Sequence, residues 1–510
     1  MLTGSTTPGV NVNVNSAPVS RAAQLQSSAT FMPVVNSPWG PANRPTPITS
    51  FADYARQFGG LDVNSRGGDA LYAFFNVMRG DRALVVRVVG PAAQFASLTV
   101  KDRGVGAAQK DAWKIESKDY PGDDTDILVT IEDDGAGFVK VTERSVRLKV
   151  VKTHRKVAND AASIARVNRD AVLIRLVDQN STNAAPTNLP ALTAETALAG
   201  GTDDAANITA ATYIGTDDGT TKKGLHCFAD EDYGTGTVAL PGVTTESARV
   251  ALYAHAEVFR RIAVPDLPQG YTKDQAVAAR QAHSSTFGAL YWPYVRYDDF
   301  MGSGLEKLYP ASGFVAGAIA EAVTRVGVWQ APAGEFGRIR GARGVELSAA
   351  GQPQVDNSTR GYLGENQVNP IAVMRGEVKI YDALVITADP RVQMIHELAV
   401  LNYLYYAIKR SLENLTFRTI DGSGRLFGEA RRVVEQLCRE LWDEGRGGLY
   451  GATEEEAFRV VCDESNNPRE SLDRQELNVD CDVLISPTNR RTNVNLNNQP
   501  LTVSLKTLQR

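Results

Sequence analysis

The chain of 510 residues is 43% hydrophobic and 22% charged, with a formal net charge of −5. It is too long for one core and divides into about three domains. The acidic balance argues against nucleic acid as the main partner, because phosphate contacts need a basic surface. The four cysteines, Cys227, Cys438, Cys462 and Cys481, lie far apart and form no CxxC pair; neither a zinc knuckle nor a disulfide framework is indicated, and they read as thiols of a reducing compartment. No basic segment followed by an apolar run opens the chain, and no stretch reaches the ~20 apolar residues of a membrane helix. The expectation is a soluble, cytoplasmic product with no signal peptide and no membrane insertion.

In chain order, the first element is GVNVNVN, with Val10, Val12 and Val14 on one side and Asn11, Asn13 and Asn15 on the other. Period-two alternation is the mark of a half-buried strand, and a lone strand is unstable in water. No Asn-Gly turn follows to fold a hairpin back onto it, so its partner is a distant segment or another copy. The passage FMPVVNSPWGPANRPTPITS, with Pro33, Pro38, Pro41, Pro45 and Pro47, reads as extended or turning backbone. SFADYARQFGG and DALYAFFNVMRGD read as helices, and RALVVRVVG as a buried strand.

From about 91 to 200 the chain is β-rich. DILVTIEDDGAGFVKVTER predicts a hairpin, VRLKVVKTH a third strand and VLIRLVD a fourth, while 180–200 reads as a loop. Between 224 and 295 the strands TVALPG, RRIAVPD and ALYWPYV alternate with the amphipathic helices TESARVALYAHAEV and TKDQAVAARQAHS, which predicts parallel strands with covering helices. SGFVAGAIAEAVTRVG is a further helix with Ser312 as N-cap.

The last third is α+β. Asp389 and Pro390 open a long helix whose stripe is Met394, Leu398, Leu401, Tyr405, Ile408 and Leu412. A second helix runs from Leu426 to Asp443, and Thr453 with Glu456 forms a capping box. FRVVCD and ELNVDCDVLI are strands, the second alternating through Leu477, Val479, Cys481, Val483 and Ile485. In the tail, Val494 and Leu496 alternate, as do Leu501, Val503 and Leu505.

The expected fold is multidomain α+β: a central α/β domain with parallel strands, an inserted β-rich domain, and a C-terminal α+β domain with extended terminal arms. The boundaries are an N-terminal arm at 1–28, the α/β domain at 29–90 and 201–343, the insertion at 91–200, the C-terminal domain at 344–486 and a C-terminal arm at 487–510.

Motifs with a catalytic mechanism are missing from the sequence. There is no GxxxxGK[ST] loop, no GxSxG elbow and no HExxH, since His396-Glu397 lacks the second histidine. The run from Arg103 to Ala108 lacks the third glycine of a dinucleotide site, and the five histidines (His154, His226, His255, His283, His396) are scattered. Asp266, Asp298 and Asp299 follow strand ends, where an α/β enzyme would place carboxylates. The competing reading is capping and turn chemistry, which such positions use more often. Tyr403, Tyr405 and Tyr406 suggest a stacking platform, against which core and interface packing is the commoner use.

Four landmarks then stand in order: GPANRPTPITSFADYARQFGG with AFFNVMRGDRALVVRVVG; LAGGTDDAANI; ALYWPYVRYDDF with SGFVAGAIAEAVTRVGVWQAPAG; and GGLYGATEEEAFRVVCDESNNP. They resemble the contractile tail sheath proteins of phages and related injection systems, the GVWQAPAG stretch most specifically. The chain departs from the family pattern at Tyr309-Pro310-Ala311-Ser312-Gly313, at IYDALVIT and at HELAVLNYLYY.

The resemblance implies a structural subunit, not an enzyme, with no cofactor and no nucleotide. It implies homo-oligomeric hexameric rings stacked around an inner tail tube, capped by baseplate and tail terminator proteins. The location it implies is a virion tail or injection particle, assembled in the bacterial host cytoplasm. It further implies that the arms complete small sheets of neighbouring subunits by strand addition. The donors would be Val10, Val12, Val14, Val494, Leu496, Leu501, Val503 and Leu505, and the acceptor strand Leu477, Val479, Cys481, Val483 and Ile485. Arg490, Arg491, Lys506 and Arg510 would face an acidic tube, against the competing and no less common reading of a merely solvated tail.

Overall fold

The computed structural model describes residues 28–121, 126–135, 137–352, 355–420, 422–443 and 447–494. Its centre is a five-stranded sheet with the spatial order Ile262–Ala263, Thr237–Ala239, Phe31–Asn36, Ala83–Val88 and Thr46–Ile48. The first four strands are parallel and Thr46–Ile48 is antiparallel. The helices Glu246–Val258 and Lys273–Gln281 provide the crossovers the alternating pattern predicts.

Phe31–Asn36 corrects the reading of its passage as merely extended or turning, for it is the middle strand of the sheet and all six of its residues are buried. Proline removes one ladder donor at Pro33. The apolar run Phe31, Met32, Val34 and Val35, none of it exposed, gains more by burial than that donor is worth, at about 1.5–3 kcal/mol per large side chain.

Against this sheet packs the helix Ser312–Arg325. Gly313 and Gly317 lie one turn apart, and a Cβ at either would collide with Ala70 or Met78, so the close approach to Arg66–Tyr72 and the turn after it depends on their having no side chain. Ser312 is the first helical residue rather than the N-cap; its N–H and hydroxyl both donate to Asp266.

The β-rich stretch folds around its own core of Trp113, Ile115, Val129, Val141, Val157, Val167 and Leu176, among others. Two sheets enclose it: Ser97–Lys101, Asp111–Ser117 and Ile174–Asp178 in one, and Thr193–Ala197, Ile127–Asp133, Val139–Ser145 and Val150–Val157 in the other. The hairpin and third strand lie where the sequence predicts. VLIRLVD, however, joins the other sheet beside Asp111–Ser117. The fourth position is taken by Thr193–Ala197, inside the stretch read as a loop. TAETA carries no large apolar residue, so main-chain pairing alone defines this edge strand and the sequence gives no hydrophobic signal for it.

The chain enters and leaves this unit side by side, with Gln94 and Thr202 exchanging both main-chain bonds (2.8 and 3.0 Å) and Gly90 N–H donating to Asp203 (2.8 Å). Arg87, on the strand Ala83–Val88 of the central sheet and 0% exposed, closes the junction. Its guanidinium donates to the carbonyls of Ser37 (2.7 Å), Pro38 (3.2 Å), Gly40 (3.0 Å) and Tyr120 (2.6 Å), and to Asp203 (3.1 Å). Burial pushes its pKa down to about 10, which leaves it charged at neutral pH.

In the C-terminal half, Tyr291–Trp292 pairs with Asn369–Met374, which pairs with Glu377–Ile380. Val295–Asp298 pairs with Glu306–Tyr309 and Gly344–Val345. The long helix is Ile395–Leu412 and does not begin at Pro390. Glu397 accepts from Gln393 (2.6 Å) and Met394 N–H (3.0 Å), while Val385 N–H donates to Gln393 (3.0 Å), so residues 393–394 stay extended. Its buried face includes His396, Val400, Tyr403 and Ala407, and the predicted stripe residue Tyr405 is exposed. The second helix is Arg425–Trp442, with Ala430, Val434, Cys438 and Leu441 inward. Thr453 stands at the N-cap position of the short helix Glu454–Ala457, but its side chain makes no capping bond and Glu456 reaches Ala452 N–H, so the expected capping box does not form.

A run of contacting rings joins the first helix of the α/β region to the later hairpin. Phe58 and Tyr54 stack at 5.5 Å, Tyr54 meets Phe51 at 5.9 Å, Phe51 meets Tyr72 at 5.0 Å, Tyr72 stacks on Phe300 at 4.4 Å, and Phe300 stacks on Tyr309 at 4.0 Å.

The Arg87→Ala variant is expected to lose about 3–5 kcal/mol of stability, because several buried acceptors and the Asp203 charge lose their donor together. Arg87→Lys should recover little of it, since one ammonium cannot span that fork of acceptors. Equilibrium denaturation in urea measures both; a loss below about 1 kcal/mol for Arg87→Ala would contradict the clamp.

Candidate functional site

The carboxylates singled out as an enzyme site serve separate structural purposes. Asp266 is 1% exposed and accepts from Gly242 N–H (2.9 Å), Ser312 N–H (2.9 Å) and Ser312 Oγ (2.8 Å), tying the end of a strand to the start of a helix. Burial raises its pKa, opposed by those donors. Asp298 is held by a two-pronged bond from Arg343 (2.9 and 2.8 Å), which lowers its pKa. Asp299 accepts from Met301 N–H (3.2 Å) and Tyr309 (3.3 Å) and pairs with Lys307 (3.0 Å). Its pKa is lowered, chiefly by Ser303 and the Lys307 ammonium. Asp217 and Asp218 cap turns at Gly219, Thr220 and Thr221. Among the described residues no three His, Cys, Asp or Glu side chains come together as a metal site, and no described helix is long and apolar enough to cross a membrane.

The tyrosines of the long helix diverge. Tyr403 is buried, Tyr405 lies under the Arg260 guanidinium at 4.9 Å, and Tyr406 accepts from Arg410 at 3.1 Å. His255 is buried beside the fully buried Arg261, whose Nη1 donates to His255 Nε2 at 2.6 Å. Because a guanidinium only donates, that nitrogen carries a lone pair and the imidazole is neutral. Burial, reinforced by the Arg261 charge, lowers its pKa to about 3.

The remaining candidate is the acceptor strand. Only part of ELNVDCDVLI is a strand, Asp480–Val483, paired antiparallel with Phe458–Val461 in a sheet of two. The pairing continues beyond it: Leu484 N–H donates to Ala457 (2.9 Å), Tyr450 N–H to Leu484 (2.8 Å) and Ser486 N–H to Gly448 (3.2 Å). Sequence reading missed Gly448, Leu449 and Tyr450 as this partner; the apolar pair between glycines in GGLYG is the one signal available. Leu484 and Ser486 point their main-chain groups at these partners, so by the two-residue alternation those of Cys481, Val483 and Ile485 point the other way. Among the described residues no strand pairs with that edge or with the outer edge of Phe458–Val461. Val460 and Phe458 are buried on the face toward Arg425–Trp442, while Asp480, Asp482 and Leu484 are exposed. Leu477 and Val479 precede the strand and are half-buried.

Beyond the sheet the chain is fastened for several residues. His396 Nε2 lies 3.2 Å from the Ser486 carbonyl and 3.3 Å from Thr488 Oγ1, and Arg490 donates to Asp382 at 2.5 Å. Of the residues read as tube-facing, Arg490 is thus engaged within the chain, whereas Arg491 is exposed. Val494 is 80% exposed and outside any strand. Val10, Val12, Val14, Leu496, Leu501, Val503, Leu505, Lys506 and Arg510 lie outside the described residues.

The fold is that of contractile tail sheath proteins. The chain is similar to a subunit of the contracted sheath of the extracellular contractile injection system PVC, at 14% identity and a TM-score of 0.55 over 98% of this chain and 99% of that one. It is likewise similar to the contracted helical sheath of the anti-feeding prophage, at 15% identity and a TM-score of 0.53 over 97% and 100% of the two chains. The sheath tail protein of Listeria innocua matches at 12% identity and a TM-score of 0.58 over 87% and 92%. No protein-family model matches the sequence, and no curated relative matches it.

His255 gives a pH prediction with a definite sign. Its folded pKa, about 3, lies below the ordinary value of 6.5, so unfolding takes up a proton below 6.5. The stability it contributes is complete above that pH and is lost as pH falls. Between about pH 6.5 and about pH 5, wild-type protein should lose stability relative to His255→Gln at up to about 1.4 kcal/mol per pH unit, measured by denaturation at matched pH. Parallel curves for the two proteins would contradict a buried neutral His255.

Proposed function

We propose that the chain is the structural subunit of a contractile sheath, which polymerises as stacked hexameric rings around an inner tube and contracts to drive that tube through a target envelope. The observation that carries this reading is the end-to-end likeness of fold, spanning 98% of this chain and 99% of a sheath subunit. The engagement of Asp266, Asp298 and Asp299 in capping and ion pairing supports a structural over an enzymatic role.

On this reading the two-stranded sheet Phe458–Val461 and Asp480–Val483 is the acceptor, and the open edge formed by Cys481, Val483 and Ile485 receives a strand from a neighbouring copy. The donors are the segment around Val10, Val12 and Val14 and the tail strand near Val494 and Leu496 or Leu501, Val503 and Leu505. Each added main-chain bond contributes about 0.5–1.5 kcal/mol, so a few of them make a joint that survives while the bodies move. Residues 486–490 are anchored at His396 and Asp382, which supports a hinge of the C-terminal arm after Arg490. Contraction draws on the difference between two packings of the same rigid subunits, with no nucleotide consumed. The baseplate, the tail terminator and an acidic tube surface facing Arg491, Lys506 and Arg510 complete the assembly, whose place is a virion tail or injection particle built in the bacterial cytoplasm.

Deletion of residues 1–15 tests the donor-strand joint. Electron microscopy of purified full-length protein is expected to show long polymers, and of the deletion variant only free subunits, rings or short stacks. Polymers of normal length from the deletion variant would contradict it.

A further inference from the structure

Cys438 and Cys481 are the one pair of thiols within reach of each other among the cysteines. Cys438 sits fully buried on the helix Arg425–Trp442, Cys481 half-buried on the strand Asp480–Val483, and their sulfurs are 3.5 Å apart. The other two are occupied elsewhere: Cys227 lies beside the carbonyls of Asn43 (3.3 Å) and Lys222 (3.2 Å), and Cys462 packs with Leu415, Leu426, Phe427 and Ala430 in a separate cluster. A disulfide bond is about 2.05 Å long, so closing the gap takes a movement of roughly 1.5 Å, within the reach of small side-chain rotations.

We propose that Cys438 and Cys481 are a latent disulfide site, closed by thiol–disulfide exchange with a small-molecule disulfide of the glutathione type once the protein leaves a reducing compartment. The two thiols have unequal parts. The S–H of Cys438 supports the thiolate of Cys481 and lowers its pKa, while the same contact and burial raise that of Cys438. Cys481, the more accessible, attacks first. Its thiolate displaces one glutathione thiolate and forms a mixed disulfide; Cys438 then gives up its proton and attacks the Cys481 sulfur, expelling the second glutathione. Two protein thiols are oxidised and one glutathione disulfide is reduced to two glutathiones.

The bond joins segments 43 positions apart in sequence and pins the edge strand Asp480–Val483 to the helix beneath it. That strand otherwise rests on one line of main-chain bonds and a half-buried face, so a covalent tie resists its peeling from the body. The disulfide follows from the thiol geometry alone and does not require the sheath reading.

The experiment treats the purified full-length chain with oxidised or with reduced glutathione, unfolds it, alkylates free thiols and maps the peptides by mass spectrometry. Two of the four cysteines are expected to escape alkylation after oxidation, in one cross-linked pair containing Cys438 and Cys481. The Cys438→Ser variant should instead retain glutathione on Cys481, and Cys227→Ser with Cys462→Ser should still form the cross-link. Oxidation should also raise the urea midpoint of wild-type protein and leave that of Cys481→Ser unchanged. Four alkylated cysteines, a stable glutathione adduct on wild-type Cys481, or equal urea midpoints for oxidised and reduced wild type would each overturn the proposal.

Discussion

Main-chain N–H and C=O groups on a strand are satisfied by neighbouring strands or by water, and an open edge is a template for a further strand; among the described residues the strand Asp480–Val483 has a strand partner on one edge. Phe458–Val461 and then Gly448 to Tyr450 take up the even-numbered residues, leaving the groups of Cys481, Val483 and Ile485 facing outward among the described residues. A sheet of two strands is marginal by itself. This one is held from below by Phe458, Val460 and the helix Arg425–Trp442, which makes it a stable platform with an unfinished side. This open edge among the described residues, in a chain whose ends alternate Val and Asn, is the constraint from which the assembly proposal follows.

A polymer that transmits force through such joints needs bodies stiffer than the joints. Arg87 binds the β-rich unit to the central sheet through the carbonyls of Ser37 and Tyr120 and through Asp203 on the returning chain. Asp266 binds a strand end to the helix Ser312–Arg325, and the rings from Phe58 to Tyr309 run without interruption between regions far apart in sequence. These contacts are buried or half-buried, and close-packed interiors rearrange as units instead of deforming gradually. The segment 486–490, by contrast, is held to the body by a few polar contacts at His396 and Asp382.

The elements legible in the sequence were those whose burial follows a period. The hairpin of Ile127–Asp133 and Val139–Ser145 and the helices Glu246–Val258 and Lys273–Gln281 lie where alternation or three-to-four spacing places them, and Ala83–Val88 lies where a continuous apolar run does. Failures came where one strong local signal was overridden. Pro33 disguised the middle strand of the sheet, Asp389-Pro390 imitated a helix start that Glu397 sets later, and Thr193–Ala197 pairs without any large apolar side chain to announce it. Arg87 was invisible as a clamp because its role depends on carbonyls of Ser37, Gly40 and Tyr120 brought together only by folding. Of the candidate site, the alternation through Cys481, Val483 and Ile485 was legible. That Arg490 turns back onto Asp382 and that Cys481 meets Cys438 are tertiary facts with no local trace.

The most direct test of strand completion between copies is a high-resolution cryo-electron microscopy map of the assembled polymer, read for the main-chain partners of Cys481, Val483 and Ile485. A strand from an adjoining subunit, drawn from residues 10–15 or 494–505, is expected to be hydrogen-bonded along that edge. A map in which both chain ends bond only within their own polypeptide, with the edge left to solvent, would contradict it.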